Sequence, residues 1–231
     1  MIALERQIVL TLFILIGTIL LFSFTRIDFI VSDHFFDLKT HTWLLDRNLQ
    51  PYKFIFYDGI KKLLIIFAVG LLASLIFLRN NSIIKEYRKG ILVVVLSAIL
   101  VPLITSGLKK TTNVSCPKNG IHYGGIYPET KIWEHYPTSF KQTKRIECWP
   151  AGHASGGFAL LSLFFLFKSK KRKKMAIAVA LIIGWSMGYY KMLIGDHFLS
   201  HTIIVMVIAW LTVLSIVKFI DTVQRLRFDK S

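Results

Sequence analysis

Lys109, His153, Lys191, His197 and His201 are the residues whose types and spacing point to chemistry. Each lies at the end of an apolar run. His197 and His201 are four apart, so on a helix they share one face. One imidazole can attack while the other holds its ring, the arrangement of an activated nucleophile. His153 stands in the stretch Trp149-Pro150-Ala151-Gly152-His153-Ala154-Ser155-Gly156-Gly157. Near neutral pH a histidine there can protonate a leaving oxygen. The two lysines neutralise an anion. The start of a helix at Gly152 adds backbone N–H donors and a positive dipole end for the same anion. Gly156 and Gly157 permit close approach of a ligand or a neighbouring helix. Taken singly, Lys109 and Lys110 are lysines that snorkel at a helix end, and each histidine is an ordinary interfacial one. Lys191 is harder to explain that way, because it lies inside the apolar run GYYKMLIG, where a charge is costly. Together the five make a site for an anion, and phosphate fits it best.

The elements that position them follow from hydropathy. The chain has 231 residues, 54% of them hydrophobic, and 18 are phenylalanine. That apolar share exceeds the roughly 45–50% of soluble domains. The excess falls into six runs, 8–24, 63–78, 91–108, 151–167, 175–194 and 198–217. Runs of this length span a bilayer, and in lipid they must be helices to satisfy their own backbone polar groups. The expected fold is therefore all-α: a polytopic membrane protein of six transmembrane helices forming a single domain over residues 1–231. The first run reads as an uncleaved anchor, since Phe-Thr-Arg-Ile-Asp follows it with no small-residue cleavage site. The net charge of +16 would point to nucleic acid in a soluble protein. Here the basic residues sit between apolar runs, where they set topology, and no nucleic-acid partner is expected.

The segment 168–174 reads KSKKRKK, with six basic residues in seven, and is assigned to the cytoplasm. The basic segment 79–89 and the tail 218–230 agree. Alternation then places 25–62, 109–150 and the turn around Gly195 on the exterior, with all five site residues at that face. Segment 25–62 carries Trp43, Tyr52, Phe54, Phe56 and Tyr57, and a short interfacial helix is expected within it. Cys116 and Cys148 share the second exterior segment. They are either free thiols or, facing an oxidising compartment, a disulfide. Closing a loop of roughly thirty residues is worth about 3–4 kcal/mol in the chain-entropy account.

Three stretches resemble the motifs of the type 2 phosphatidic acid phosphatase superfamily, Lys-x6-Arg-Pro, Pro-Ser-Gly-His and Ser-Arg-x5-His-x3-Asp. Here the first reads Lys109, six residues, then Cys116-Pro117. The second reads Pro150-Ala151-Gly152-His153. The third reads Tyr190-Lys191, five residues, His197, three residues, then His201. The resemblance implies that His197 attacks phosphorus to form a phosphohistidine. It also implies that His153 protonates the leaving group and that no metal or cofactor is needed. The chain departs from the pattern at four places. Cys116 replaces an arginine, Ala151 a serine, Lys191 an arginine and His201 the aspartate that orients the nucleophile. Arg145, Lys110 and Lys118 are the basic residues that can stand in for the missing arginine. The phosphate-binding set is read as Lys109, Lys191, Gly152 and Arg145, and the catalytic set as His197, His153 and His201.

The resulting expectation is a membrane lipid phosphatase. It would cleave a phosphomonoester or pyrophosphate headgroup, of the lipid A, isoprenyl pyrophosphate or phospholipid class. Its place would be the exterior, or periplasmic, face of a bacterial inner membrane. Its partners are the bilayer and a lipid phosphate; the sequence does not fix an oligomeric state. Alternatives are a phosphotransferase between lipids, a zinc hydrolase built on His153, His197 and His201, and a non-catalytic lipid-binding protein. The topology gives a direct test. Reporters fused at Lys171 and Ser231 are expected to signal cytoplasm, and one near Tyr136 exterior; a cytoplasmic signal at Tyr136 would put the site on the wrong side.

Overall fold

The structure, a computed structural model, describes residues 2–228, with side chains over 3–226. Asp229, Lys230 and the reporter position Ser231 of the expected cytoplasmic tail lie outside the described residues. The chain is all-α. Its helices are α1 (Ile2–Phe24), α2 (Ile27–Asp33), α3 (Gly59–Phe77), α4 (Ser82–Thr111), α5 (Gly152–Ala159), α6 (Lys170–Leu193) and α7 (Leu199–Phe228). A π-helical turn, Phe54–Asp58, leads into α3. A 3-10 stretch, Leu160–Phe165, continues α5. The only sheet among the described residues is a hairpin of β1 (Phe36–Asp37) and β2 (Thr42–Trp43), with Phe36 opposite Trp43.

Among the described residues five helical segments are long and apolar enough to cross a membrane, and the sixth apolar run, Gly152–Phe165, is shorter. This is a polytopic membrane protein. Its helices differ from the hydropathy runs in two ways. α4 and α7 are each 30 residues long, well beyond their apolar stretches. Backbone hydrogen bonding does not stop where side chains become polar, so hydropathy marks only the middle of each helix. Most of the basic segment 168–174 likewise belongs to α6 rather than to a loop. Ser169 caps that helix, its hydroxyl accepting from the Arg172 N–H. The fourth run, expected as one span over 151–167, is an α-helix of one register followed by a tighter one. Gly156-Gly157 weakens the α-helix, and the buried Ser162 hydroxyl donates to the Ala159 carbonyl three residues back, a spacing that suits the tighter turn. The segment expected to hold a short interfacial helix contains α2, but the aromatics that suggested one lie elsewhere, Trp43 in β2 and Phe54, Phe56 and Tyr57 in the π-helical turn.

α7 lies at the centre, touching α1, α4, α5 and α6. Val205, Ala209, Val213 and Leu214 along it are fully enclosed. α1 and α3 line the outside, with Phe13 and Leu63 more than two-thirds exposed, as lipid-facing residues are. α6 approaches its neighbours through glycines. A Cβ on Gly157 of α5 would lie 2.7 Å from the Gly184 Cα of α6. A Cβ on Gly188, one turn later, would collide with Thr202 of α7. Small residues of this kind let helices pack closely in lipid.

The bundle has two unlike ends. At one, Lys89 pairs with Asp221, Lys168 with Glu86, and Lys218 with Glu5. At the other, the segment between α4 and α5 folds back over the helix ends. A disulfide joins Cys116 to Cys148, with Cα atoms 5.2 Å apart. The Thr112 hydroxyl donates to the Trp149 carbonyl at 2.7 Å, and the Lys118 N–H donates to the Gly195 carbonyl at 3.0 Å. Alkylation tests the disulfide. Both thiols are expected to resist modification in untreated protein and to react once reductant is added; immediate labelling of both would remove the cross-link.

Candidate active site

His153 is the second residue of α5, His201 the third of α7, and His197 lies in the turn between α6 and α7. That turn depends on Gly195, whose φ of +68 falls in the left-handed region. Trp43 packs on Gly195 so tightly that a side chain there would collide with the indole. The turn therefore leaves α6 sharply and returns down α7, with His197 facing inward.

The three histidines meet. His197 Nε2 lies 3.5 Å from His153 Nδ1. The Nδ1 atoms of His197 and His201 are 3.4 Å apart, one carrying the proton the other accepts. His197 is thus approached on both nitrogens, and it is only 2% exposed. Burial above all, with His201, His153, Lys109 and Lys191 adding to it, holds its pKa well below the ordinary histidine value. The ring is neutral, with a lone pair available for attack. The disulfide sulfur of Cys148 packs 3.7 Å from its Nδ1. Cys148, His197 and His201 gather closely enough to resemble a metal site, but the sulfur is already bonded to Cys116 and is not a thiolate ligand.

Both lysines reach this end of the bundle. Lys109, in the last turn of α4, extends over the start of α5, where a Cβ on Gly152 would lie 3.9 Å from its Nζ. Lys191 is 4% exposed. Its Nζ is 2.9 Å from Asp196 Oδ2 and 4.7 Å from the centre of the Tyr57 ring, a cation–π contact. The same Tyr57 ring abuts His153, with centroids 4.9 Å apart. Arg145 lies apart from the histidines. Its guanidinium donates to the Lys110 and Thr111 carbonyls, each at 3.1 Å, and so closes the C-terminal end of α4.

Arg47 and Asp28 have no mark in the sequence, and Tyr57 reads there only as an interfacial aromatic. Tyr57 and Arg47 come from the segment between α1 and α3. Asp28 of α2 accepts from the Ser200 N–H at 2.8 Å and from the Ser200 hydroxyl, holding the start of α7. Burial raises the Asp28 pKa to about 6 against those two hydrogen bonds. A carboxylate capping a helix from a distant segment leaves no local spacing to read.

Between α3, α4 and α5 runs a groove of about 500 Å³. Leu64, Ile65, Ala68, Val94, Pro102 and Leu160 form apolar walls, while Lys61, Lys109, Gly152 and His153 stand at its polar end. The arrangement has an apolar trough, cations and one histidine at its mouth, and a second, buried histidine behind it. It can hold a phosphate ester by its anionic head while its apolar remainder lies among helices.

Residues 90–225, more than half of the chain, match the PAP2 superfamily. No curated protein matches the chain, nor does any solved structure. The matched stretch contains all five residues with which the sequence reading began. The chain belongs to the PAP2 superfamily.

Proposed function

We propose that this protein is a lipid phosphatase acting on a phosphomonoester or pyrophosphate headgroup at the exterior face of a bacterial inner membrane, as one domain over residues 1–231. Membership of the PAP2 superfamily supports a phosphatase-type activity. The groove carries the step to lipid, because its apolar walls lead to Lys109 and His153. A water-soluble phosphate ester has no use for such walls, whereas an acyl or prenyl chain is transferred into them favourably.

In this reading Lys109, Lys191 and the amides from Gly152 onward bind the phosphate. The His197 Nε2 lone pair attacks phosphorus, and the bond from phosphorus to the lipid oxygen breaks. That oxygen takes a proton from His153, whose imidazolium form the charge of the bound phosphate favours. Water then attacks the phosphohistidine, returns a proton to His153, and releases inorganic phosphate as the N–P bond breaks. His201 keeps a nitrogen on Nδ1 of His197 and so fixes the attacking ring. Because His153 and His197 nitrogens are 3.5 Å apart, phosphorus cannot sit between them as they stand. Substrate entry in this reading requires the two rings to separate. Arg145, bound to the α4 carbonyls, steadies the helix end that carries Lys109.

Phosphate release from a panel of lipid phosphates tests the reading. His197→Ala is expected to abolish turnover, and His153→Ala to slow it by about 10²–10⁴-fold. With p-nitrophenyl phosphate, whose leaving group needs little protonation, His153→Ala is expected to retain relatively more activity while His197→Ala does not. Activity is expected to survive a strong chelator; loss that zinc restores would favour a metalloenzyme.

The depressed pKa of His197 sets a pH dependence. A histidine that titrates below its ordinary value of about 6.5 stays a free base as pH falls through that range. The acid limb of kcat/KM assigned to the nucleophile is therefore expected well below pH 6.5, and a nucleophile limb at or above that value would contradict the buried environment.

A further inference from the structure

The Asp196 carboxylate faces three cations drawn from three parts of the chain. Lys118 Nζ, from the segment after α4, is 2.6 Å from Oδ1. Lys191 Nζ, from the end of α6, is 2.9 Å from Oδ2, and Arg47, from the segment after α2, is 3.9 Å from the same oxygen. One carboxylate neutralises one of these three charges. The surplus lies beside Lys191, which shares the Tyr57 ring with His153. Gathering cations costs free energy unless an anion compensates them. Burial works against the Asp196 carboxylate, but the charge of Lys191 and the contact with Lys118 outweigh it, and its pKa lies below the ordinary value. It is a stable anion at neutral pH. Its backbone is fixed: the N–H donates to the Lys191 carbonyl at 2.8 Å, and its own carbonyl oxygen lies 2.8 Å from the Cys148 sulfur. Only the side chain is left to move.

We propose that the Asp196 carboxylate is a built-in placeholder for the substrate's phosphate, which displaces it from Lys118, Lys191 and Arg47 so that these cations grip the phosphate beside Lys109. The inference rests on the phosphatase reading. It explains how the site manages without an arginine at Cys116: Lys118, two residues on, supplies the cation, and Arg47 restores a guanidinium. A phosphate dianion carries twice the charge of a carboxylate and more acceptor oxygens, so it wins the exchange when it arrives.

Inorganic phosphate is the probe, with its dissociation constant measured by calorimetry on the full chain in detergent, in a His197→Ala background that prevents turnover. Asp196→Asn removes the competing charge at nearly constant size. A placeholder requires phosphate to bind about three- to tenfold tighter, the size of one partly buried ion pair. A residue that merely holds the lysines in place requires weaker binding. Lys118→Gln and Arg47→Gln are expected to weaken phosphate binding, and Lys118→Arg to preserve it. Unchanged or weaker binding in Asp196→Asn overturns the proposal. If that variant fails to fold, Lys118→Gln decides, and unchanged affinity there overturns it. Turnover of lipid phosphates by the unsubstituted chain is measured in parallel. Turnover without tighter binding in Asp196→Asn removes the placeholder alone, whereas phosphate binding without turnover removes the phosphatase reading.

Discussion

The contact between α5 and α6 at Gly157 and Gly184 governs the rest of the bundle. Neither position tolerates a Cβ: one on Gly157 would meet the Gly184 backbone, and one on Gly184 the Phe158 ring. One turn further along α6, Gly188 admits Thr202 of α7 in the same way. Two glycines on one helix thus draw two other helices inward. In lipid there is little hydrophobic force to bring helices together, so close van der Waals packing has to do it. The convergence places the beginning of α5, the end of α6 and the beginning of α7 within reach of one another. His153, Lys191 and His201 belong to those three ends. Their meeting is a consequence of close packing within about two turns of them.

The two ends of the bundle handle charge differently. At the end bearing the basic segment of α6, pairs such as Lys218 with Glu5 are half exposed. Such pairs contribute about 1 kcal/mol or less. At the other end Lys191 and Asp196 are enclosed, and the contacts are shared among several partners. Asp196 serves Lys118, Lys191 and Arg47 at once, and Tyr57 serves both Lys191 and His153. Enclosure makes each interaction stronger and makes an unmatched charge more costly. Binding and reaction belong at such an end, where an arriving anion changes the local balance most.

The helices and the histidines were legible in the sequence because both depend on short-range spacing. Apolar runs located the helix centres, though not their polar ends, and a 14-residue run that changes from α to 3-10 read as one ordinary span. His197 and His201 declared themselves by a separation of four, and His153 by its glycine-rich setting. Asp28 and Arg47 were invisible and Tyr57 read only as an interfacial aromatic, since each acts across the fold on a residue far away in the chain. Asp196 is the neighbour of His197 in the chain. Its side chain turns instead to cations whose arrival depends on two loops packing over the same turn. Arg145 looked like a phosphate ligand from its position in a basic loop. The carbonyls it satisfies are exposed only because α4 ends where it does.

The bond between Cys116 and Cys148 spans nearly the whole segment that connects α4 to α5. Cleavage of the backbone anywhere between Lys118 and Glu147 would leave two fragments, one carrying α1 to α4 and the other α5 to α7, still tied together beside His197. The division falls between the helix that bears Lys109 and the helices that bear the histidines. Covalent continuity at the site is thus supplied twice, once by the peptide chain and once by sulfur. A nick in the connecting loop therefore leaves Lys109 and the histidines joined.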